Sequence, residues 1–355
     1  MSRTPGSRAF VVGAGVFGLS IARELAARGR AVDVVDRNIP GTTGPSSAET
    51  RILRCAHGDD EWYARSADRA RALWRELESE TGERFLLETG VLCLTGTGSD
   101  QGWERASLRA LTRLGIRVDL VPGAALADRF PGLSGDGIDF AVHEPGAGVL
   151  LARRAVRALA RSAKDRGVRI HRGEARPDGD CVLIDGERHG ADLVVWAPGP
   201  GLPALFPGLT STVVERQRAY YVDPSGPWLR RDQPAWIDRA HDWYGIPAVG
   251  ENGVKLVPDQ EPDGSEVREL PNRTRNLVRA RLPDLADATV TAHEECAYAW
   301  SPDGHFLLDR LPGTRRTWLV GGDSGHGFKH GPAWGAYVCD VLQGVTDPLP
   351  RFRIR

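Results

Sequence analysis

A chain of 355 residues is long enough for two domains, each with a core of its own. Its 46 basic and 47 acidic residues leave a formal charge of −1, a balance with no bias toward nucleic acid or anionic membranes. No apolar run reaches the length of a transmembrane span. The five cysteines, Cys55, Cys93, Cys181, Cys296 and Cys339, show no metal-type spacing, and a sparse, odd set argues for reduced thiols in a cytoplasm.

In chain order, Phe10-Val11-Val12 reads as a buried strand, and this first apolar segment lacks the small-residue cleavage site of a signal peptide. It runs into Gly13-Ala14-Gly15-Val16-Phe17-Gly18, after which Ile21 and Leu25 stand at helical spacing and Gly29 is the stop. A second apolar run, Ala31–Val35, ends at Asp36. Each part suits a dinucleotide. Gly13 permits the tight turn, Gly15 lets the backbone approach a pyrophosphate, and Gly18 lets helix and strand pack closely. The helix N-terminus offers N–H donors to the phosphates, and Asp36 can accept from a ribose hydroxyl. The spacing leaves NAD and FAD equally open.

A Pro/Gly/Ser-rich loop covers residues 38–48, and a helix is expected from about Glu61 to Glu78, with Ala67, Leu73, Trp74 and Leu77 on one face. Gly90–Leu94 reads as a strand, Glu104–Leu114 as a helix, Ala152–Arg166 as an amphipathic helix and Val168–Ile170 as the strand after it. Ala191–Gly199 is a buried strand ending in a glycine turn, of the kind that rejoins a parallel sheet beside a nucleotide. From Val213 to about Ala299 the apolar–polar alternation predicts a mostly antiparallel sheet. Trp318–Val320 then leads through a glycine-rich turn to a helix around Trp334–Leu342. With α/β texture at both ends and in the middle, the fold expected is α/β: a discontinuous Rossmann-type domain into which a sheet-rich domain is inserted.

One compositional fact is informative. Of the basic residues only Lys164, Lys255 and Lys329 are lysine. Where arginine serves almost everywhere, a retained lysine marks a position that needs a compact ammonium. Lys164 lies in a polar helical stretch and is read as incidental, which leaves Lys255 and Lys329 as functional candidates.

Taken together, the ordered motifs resemble the FAD-dependent amine oxidases typified by monomeric sarcosine oxidase and N-methyltryptophan oxidase. They are Gly13–Gly18 with Asp36, Thr50-Arg51-Ile52-Leu53-Arg54, Leu73–Glu78, Thr89–Leu92 and Phe130–Leu133. Further on come Glu144-Pro145, Gly148–Leu150, Tyr244-Gly245, Gly253–Leu256, Cys296 with Tyr298, and Ser324-Gly325-His326-Gly327-Phe328-Lys329. The resemblance, not the spacing, selects FAD. It implies that residues 1–84, 140–212 and 300–355 form the FAD-binding domain, and 85–139 and 213–299 the substrate domain.

Carried onto this sequence, the resemblance implies a flavin held covalently through Cys296, as a thioether to the 8α-methyl carbon. It implies oxygen activation by Lys255, with Arg51 at the flavin face, Tyr244 as an active-site wall, and Arg54, Lys329 and Tyr298 at the substrate. The cofactor would be lined by Gly13, Ala14, Gly15, Val16, Phe17, Gly18, Asp36, Arg37, Ser47, Thr50, Ala197, Gly199 and Gly322, together with the run Gly325, His326, Gly327, Phe328 and Lys329. Three positions depart from the family. Ser47 replaces a histidine beside the flavin, Asp259 replaces a second active-site histidine, and Ala197–Gly201 replaces Ala-x-Gly-Ala-Trp. The substrate is therefore expected to differ from sarcosine. The function implied is oxidation of a C–N bond in a secondary, N-methylated or cyclic amino acid, with O2 giving H2O2. The alternatives are a dehydrogenase with another electron acceptor and a non-catalytic flavin-binding subunit. A cytoplasmic monomer without nucleic-acid or membrane partners is the expected setting.

Overall fold

The computed structural model describes residues 7–208, 213–258 and 269–354. The strand Arg8–Val12 lies near the middle of a six-stranded sheet, between Ala31–Asp36 and Leu193–Trp196 and parallel to both. Arg169–Arg172 and Thr317–Gly321 extend it in parallel, and only the edge strand Leu307–Arg310 runs antiparallel. Alternation sends Ala9 and Val11 into the core beneath the helices Val16–Ala27, Ala152–Asp165 and Gly331–Leu342. Phe10 and Val12 pack on the opposite face with Trp196 and Leu202. Asp33, inside the second apolar run, is fully buried and is met by Arg8, Arg169 and His171. Burial opposes its charge, but those partners hold its carboxyl well below the usual range.

The helix expected at 61–78 spans Glu61–Thr81. Asp60 caps it by accepting from the Tyr63 N–H at 3.1 Å, and Gly82 ends it in the left-handed conformation. Its Trp74 is fully buried, stacked on Phe328, and donates to the Lys329 carbonyl at 2.9 Å. This contact ties the helix to the glycine-rich turn near the C-terminal end.

The second large sheet has eight strands in the order Val290–Trp300, Val213–Val222, Val254–Pro258, Trp243–Ile246, Ala235–Asp238, Val91–Gly96, Ile138–Glu144, Asp119–Pro122. Every neighbouring pair is antiparallel except Ala235–Asp238 with Val91–Gly96. One face carries Tyr220, Leu256, Trp228, Trp236 and Trp243 in a separate core. The mostly antiparallel sheet expected from Val213 to about Ala299 is present, and two details add to the sequence expectations. The boundary expected at residue 140 falls within the strand Ile138–Glu144, which pairs with Val91–Gly96 and Asp119–Pro122 in this sheet. The region expected to be mostly strand also holds a helix, Asn272–Arg281, whose pattern is nearly all polar and buries only Thr274, Val278 and Arg281.

Gly18 packs tightly against Gly13. A Cβ at Gly18 would strike the Gly13 carbonyl oxygen, so only glycine lets the helix sit against the strand. Gly18→Val is expected to destabilise the protein by about 1–3 kcal/mol or more and to lower flavin content, measured by urea unfolding and by absorbance.

Candidate functional site

A cavity of about 1040 Å3 begins at the Gly13–Phe17 loop and reaches the strand Val290–Trp300. Ala14, Gly15, Asp36, Arg37, Ser47, Ala197, Gly199 and Gly322 line it, as the dinucleotide reading requires. Asp36 accepts from the Ala14 N–H at 2.7 Å and thereby fixes the loop. The helix that follows has no side-chain cap at Gly15 and no acidic residue in its first turn, so its positive end faces the cavity. A Cβ on Gly15 would project toward the Ser46 hydroxyl, narrowing the cradle. At the far end, Oδ1 of Asp323 is buried without a hydrogen-bond partner among the described residues. Burial pushes this carboxyl up to about 6, against the lowering effect of Arg51. The helix N-terminus, the glycine cradle and the orphaned carboxyl oxygen together fit a dinucleotide whose ring system lies near Asp323 and Cys296. Neither Asp323 nor Ser46, whose hydroxyl accepts from the Val16 N–H at 3.1 Å, was singled out from the sequence. An isolated aspartate and a loop serine carry no spacing signal.

The catalytic candidates converge because of strand register. Gln217 opposes Cys296, Tyr221 opposes both Lys255 and Ala292, and Tyr244 opposes Val257. Opposed residues share a face and alternate residues return to it, so Gln217, Tyr221, Tyr244, Lys255, Glu294, Cys296 and Tyr298 all project from one face. That is the face opposite the tryptophan-rich core. A small second cavity lined by Arg51, Tyr244, Cys296, Tyr298, Gly325 and Phe328 shares Val16, Ser46, Cys296 and Asp323 with the large one.

Lys255 is 2 % exposed, whereas Lys164 is exposed, so the contrast drawn from composition is a contrast in burial. Its Nζ donates to Glu294 Oε2 at 3.1 Å and lies 5.4 Å from the centre of the Tyr221 ring. The same Glu294 oxygen accepts from the Tyr221 hydroxyl at 2.9 Å. Burial and the neighbouring Arg51 pull the ammonium down to about 8, and Glu294 keeps it from falling further. Burial works against the Glu294 charge, yet Lys255 and Arg51 hold its pKa below the ordinary value. Arg51 comes from the short strand Thr50–Leu53 and donates to Cys296 Sγ at 3.0 Å and to the Pro45 carbonyl at 2.8 Å. Burial disfavours its charge, but Cys296, Tyr244 and Glu294 leave its pKa raised. All five cysteines are free thiols.

Other expected positions lie elsewhere. Thr50 is buried beside Arg51 and lines neither cavity. Ser47 lines the large cavity but turns its hydroxyl back onto the Gly44 carbonyl. Gly18 and Gly327 serve packing, Gly327 against Phe17. Arg54 donates to the Ala56 carbonyl and lies over Trp103, and Lys329 is 4 % exposed with its Nζ 3.1 Å from the His326 carbonyl oxygen. Neither lines the small cavity, and burial together with Arg54 pushes the Lys329 ammonium well down. His326 and Lys329 line neither cavity. Asp259 lies outside the described residues.

Because Glu294 supports the charge on Lys255, Glu294→Gln is expected to move the Lys255 ammonium below about 8. With three lysines in the chain, a 13C NMR titration of the lysine Cε carbons resolves the shift.

The chain matches the family of FAD-dependent oxidoreductases over residues 8–341. It is 28% identical over 367 residues to monomeric sarcosine oxidase from Bacillus sp. (strain B-0618), covering 95% of this chain and 92% of that protein. It is also 28% identical to N-methyl-L-tryptophan oxidase from Yersinia pestis (strain Pestoides F), covering 96% and 95%. Among solved structures, L-proline dehydrogenase from P. horikoshii superposes with a TM-score of 0.84 at 22% identity, covering 97% of this chain and 95% of that one. Glycine oxidase from Geobacillus kaustophilus gives 0.81 at 22% identity, covering 98% and 99%. No helix among the described residues is long and apolar enough to cross a membrane.

Proposed function

This chain belongs to the FAD-dependent oxidoreductase family, and from that premise we propose that it oxidises the C–N bond of a secondary, N-methylated or cyclic amino acid, with O2 as electron acceptor. The observation that carries the reading is that Arg51 bonds Cys296 and Lys255 bonds Glu294, and that Cys296 and Glu294, neighbours on one sheet face, line the dinucleotide cavity. The names of the two curated relatives support an amine substrate. When bound, FAD supplies the acceptor for the hydride on the carbon beside nitrogen and the electrons that O2 later takes up, leaving an imine that water converts to a carbonyl product.

The protein's own part is charge, orientation and exclusion of water. The buried Lys255 ammonium stabilises negative charge as oxygen is reduced, a contribution of roughly 3–4 kcal/mol for a preorganised cationic donor in a dry site. Arg51 presents a charge-assisted donor to the Cys296 sulfur, which suits that cysteine for a thioether link to the flavin. Tyr244 and Tyr298 wall the space between Cys296 and the Gly325–Phe328 turn, where the reacting amine would lie. Arg54 and Lys329, which lie near each other, are the cations this reading assigns to the substrate carboxylate.

One observation favours a second reading. The carboxylate of Glu294 bonds directly to Lys255 and offsets its charge, which would slow reaction with O2 and suit a dehydrogenase that uses another acceptor. Stopped-flow reoxidation of the substrate-reduced enzyme by O2 separates the two. As an oxidase, the wild type reoxidises fast and Lys255→Met slows it by roughly 10²–10³-fold. Equal, slow reoxidation in both proteins supports the dehydrogenase.

Acid precipitation of the purified protein tests the covalent link. A yellow pellet that turns colourless in Cys296→Ser is expected; flavin free in the wild-type supernatant would remove Cys296 from this role. The pH dependence follows from two opposed titrations. Substrate oxidation needs a neutral amine and rises with pH, whereas the step with O2 needs the Lys255 ammonium and falls as pH passes about 8. Turnover is therefore expected to be bell-shaped, with the alkaline limb of the O2 step absent in Lys255→Met.

A further inference from the structure

At the Gly325–Lys329 turn, three imidazoles that line neither cavity meet. His57 follows the strand Thr50–Leu53, and His326 and His330 stand four residues apart on the turn that enters the last helix. One nitrogen from each ring lies within 4.8 Å of the other two. The ring centres are 5.2 Å apart for His57–His330, 5.8 Å for His57–His326 and 5.9 Å for His326–His330.

For two of the rings the hydrogen bonds fix which nitrogen is bare. His57 Nδ1 is 2.9 Å from the Cys55 carbonyl oxygen, and His326 Nε2 is 2.9 Å from that of Gly304. A carbonyl only accepts, so both of these nitrogens carry hydrogen. In a neutral ring, the lone pair is then on Nε2 of His57 and on Nδ1 of His326. His330 turns its Nδ1 to the Ser66 hydroxyl at 3.0 Å, leaving Nε2. These same three atoms, His57 Nε2, His326 Nδ1 and His330 Nε2, are buried and lack a hydrogen-bond partner among the described residues. A packed core normally satisfies such atoms. Three orphaned together, each on a ring whose other nitrogen is held by oxygen, form the arrangement that orients histidines on a metal.

We propose that His57, His326 and His330 bind a divalent first-row transition ion of the zinc class through these three nitrogens, with the fourth position open. An all-nitrogen set excludes calcium and magnesium, which need oxygen ligands. Tetrahedral Zn–N bonds of about 2.0–2.1 Å would bring the nitrogens to roughly 3.4 Å from one another, so the rings draw together by about an ångström or somewhat more. His57 and His326 are partly exposed and give the ion a way in, and the aromatic rings of Tyr63 and Phe306 surround the inner side. Lys329 and Arg54 lie close enough to oppose a cation, which restricts the site to ions with strong affinity for imidazole. The ion would tie the Gly325–Gly331 turn to the segment after Thr50–Leu53.

The test uses tag-free, flavin-loaded protein stripped with chelator. Zn2+ is titrated by calorimetry, Co2+ is followed through its visible ligand-field bands, and melting is recorded with and without Zn2+. One equivalent of each ion, tetrahedral Co2+ bands and a raised melting temperature are expected. All three should be lost in His330→Phe and in His57→Gln, and kept in His189→Gln, a control elsewhere on the six-stranded-sheet domain. If His330→Phe does not fold, His57→Gln at the partly exposed position carries the same loss. Absence of binding in the wild type, or one equivalent that survives His57→Gln, overturns the proposal. None of the three readouts depends on turnover, so an inactive flavoprotein would still report on the site.

Discussion

The two-residue repeat of the eight-stranded sheet is the constraint on which the site depends. Because side chains alternate across a strand, a sheet whose one face is filled by tryptophans and leucines must present its other residues together. Lys255, flanked by Val254 and Leu256, is forced out of that core, and register sets it opposite Tyr221 and in reach of Glu294. Cys296 and Tyr298 follow Glu294 at two-residue steps. A slip of one residue in the pairing would bury the lysine among tryptophans and abolish the site. The core thus positions the chemistry without touching it.

Electrostatics then shape what register assembles. Arg51 and Lys255 are buried near one another, an arrangement that costs free energy unless anions answer it. Glu294 answers Lys255 directly, and the Cys296 sulfur and Asp323 lie around Arg51. The result is a locally positive but compensated end to a cavity whose opposite end is the positive terminus of a helix. A dinucleotide with anionic phosphates in the middle and an electron-accepting ring at one end suits both features. The same compensation explains why Lys255 remains chargeable despite near-complete burial. Lys329, answered by no carboxylate bond among the described residues, is driven much further toward the neutral form.

Much of this is legible in the sequence. The strand–glycine–helix–strand–acid stretch is local, and each glycine has a steric reason that holds wherever the chain goes. The structure gives that reason for Gly18 in its contact with the Gly13 carbonyl. The rarity of lysine separated Lys255 and Lys329 from Lys164, and burial separates them in the same way. Where the reading went astray, the physics was not local. Asn272–Arg281 has almost no apolar periodicity, so its helix could not be distinguished from the strands around it.

The amino-acid sequence by itself determined the α/β class, the dinucleotide loop, the family and the candidates Arg51, Lys255 and Cys296, because these reside in short-range pattern and residue type. Only the tertiary structure decided that Glu294 shares its carboxylate between Lys255 and Tyr221, that Asp323 stands unpaired at the end of the cavity, and that His57 meets His326 and His330. Glu294 is 39 residues from Lys255, and His330 is 264 residues from its hydrogen-bond partner Ser66. Contacts across such separations are set by strand register and helix docking, which sum the packing of the whole chain and leave no mark at either residue.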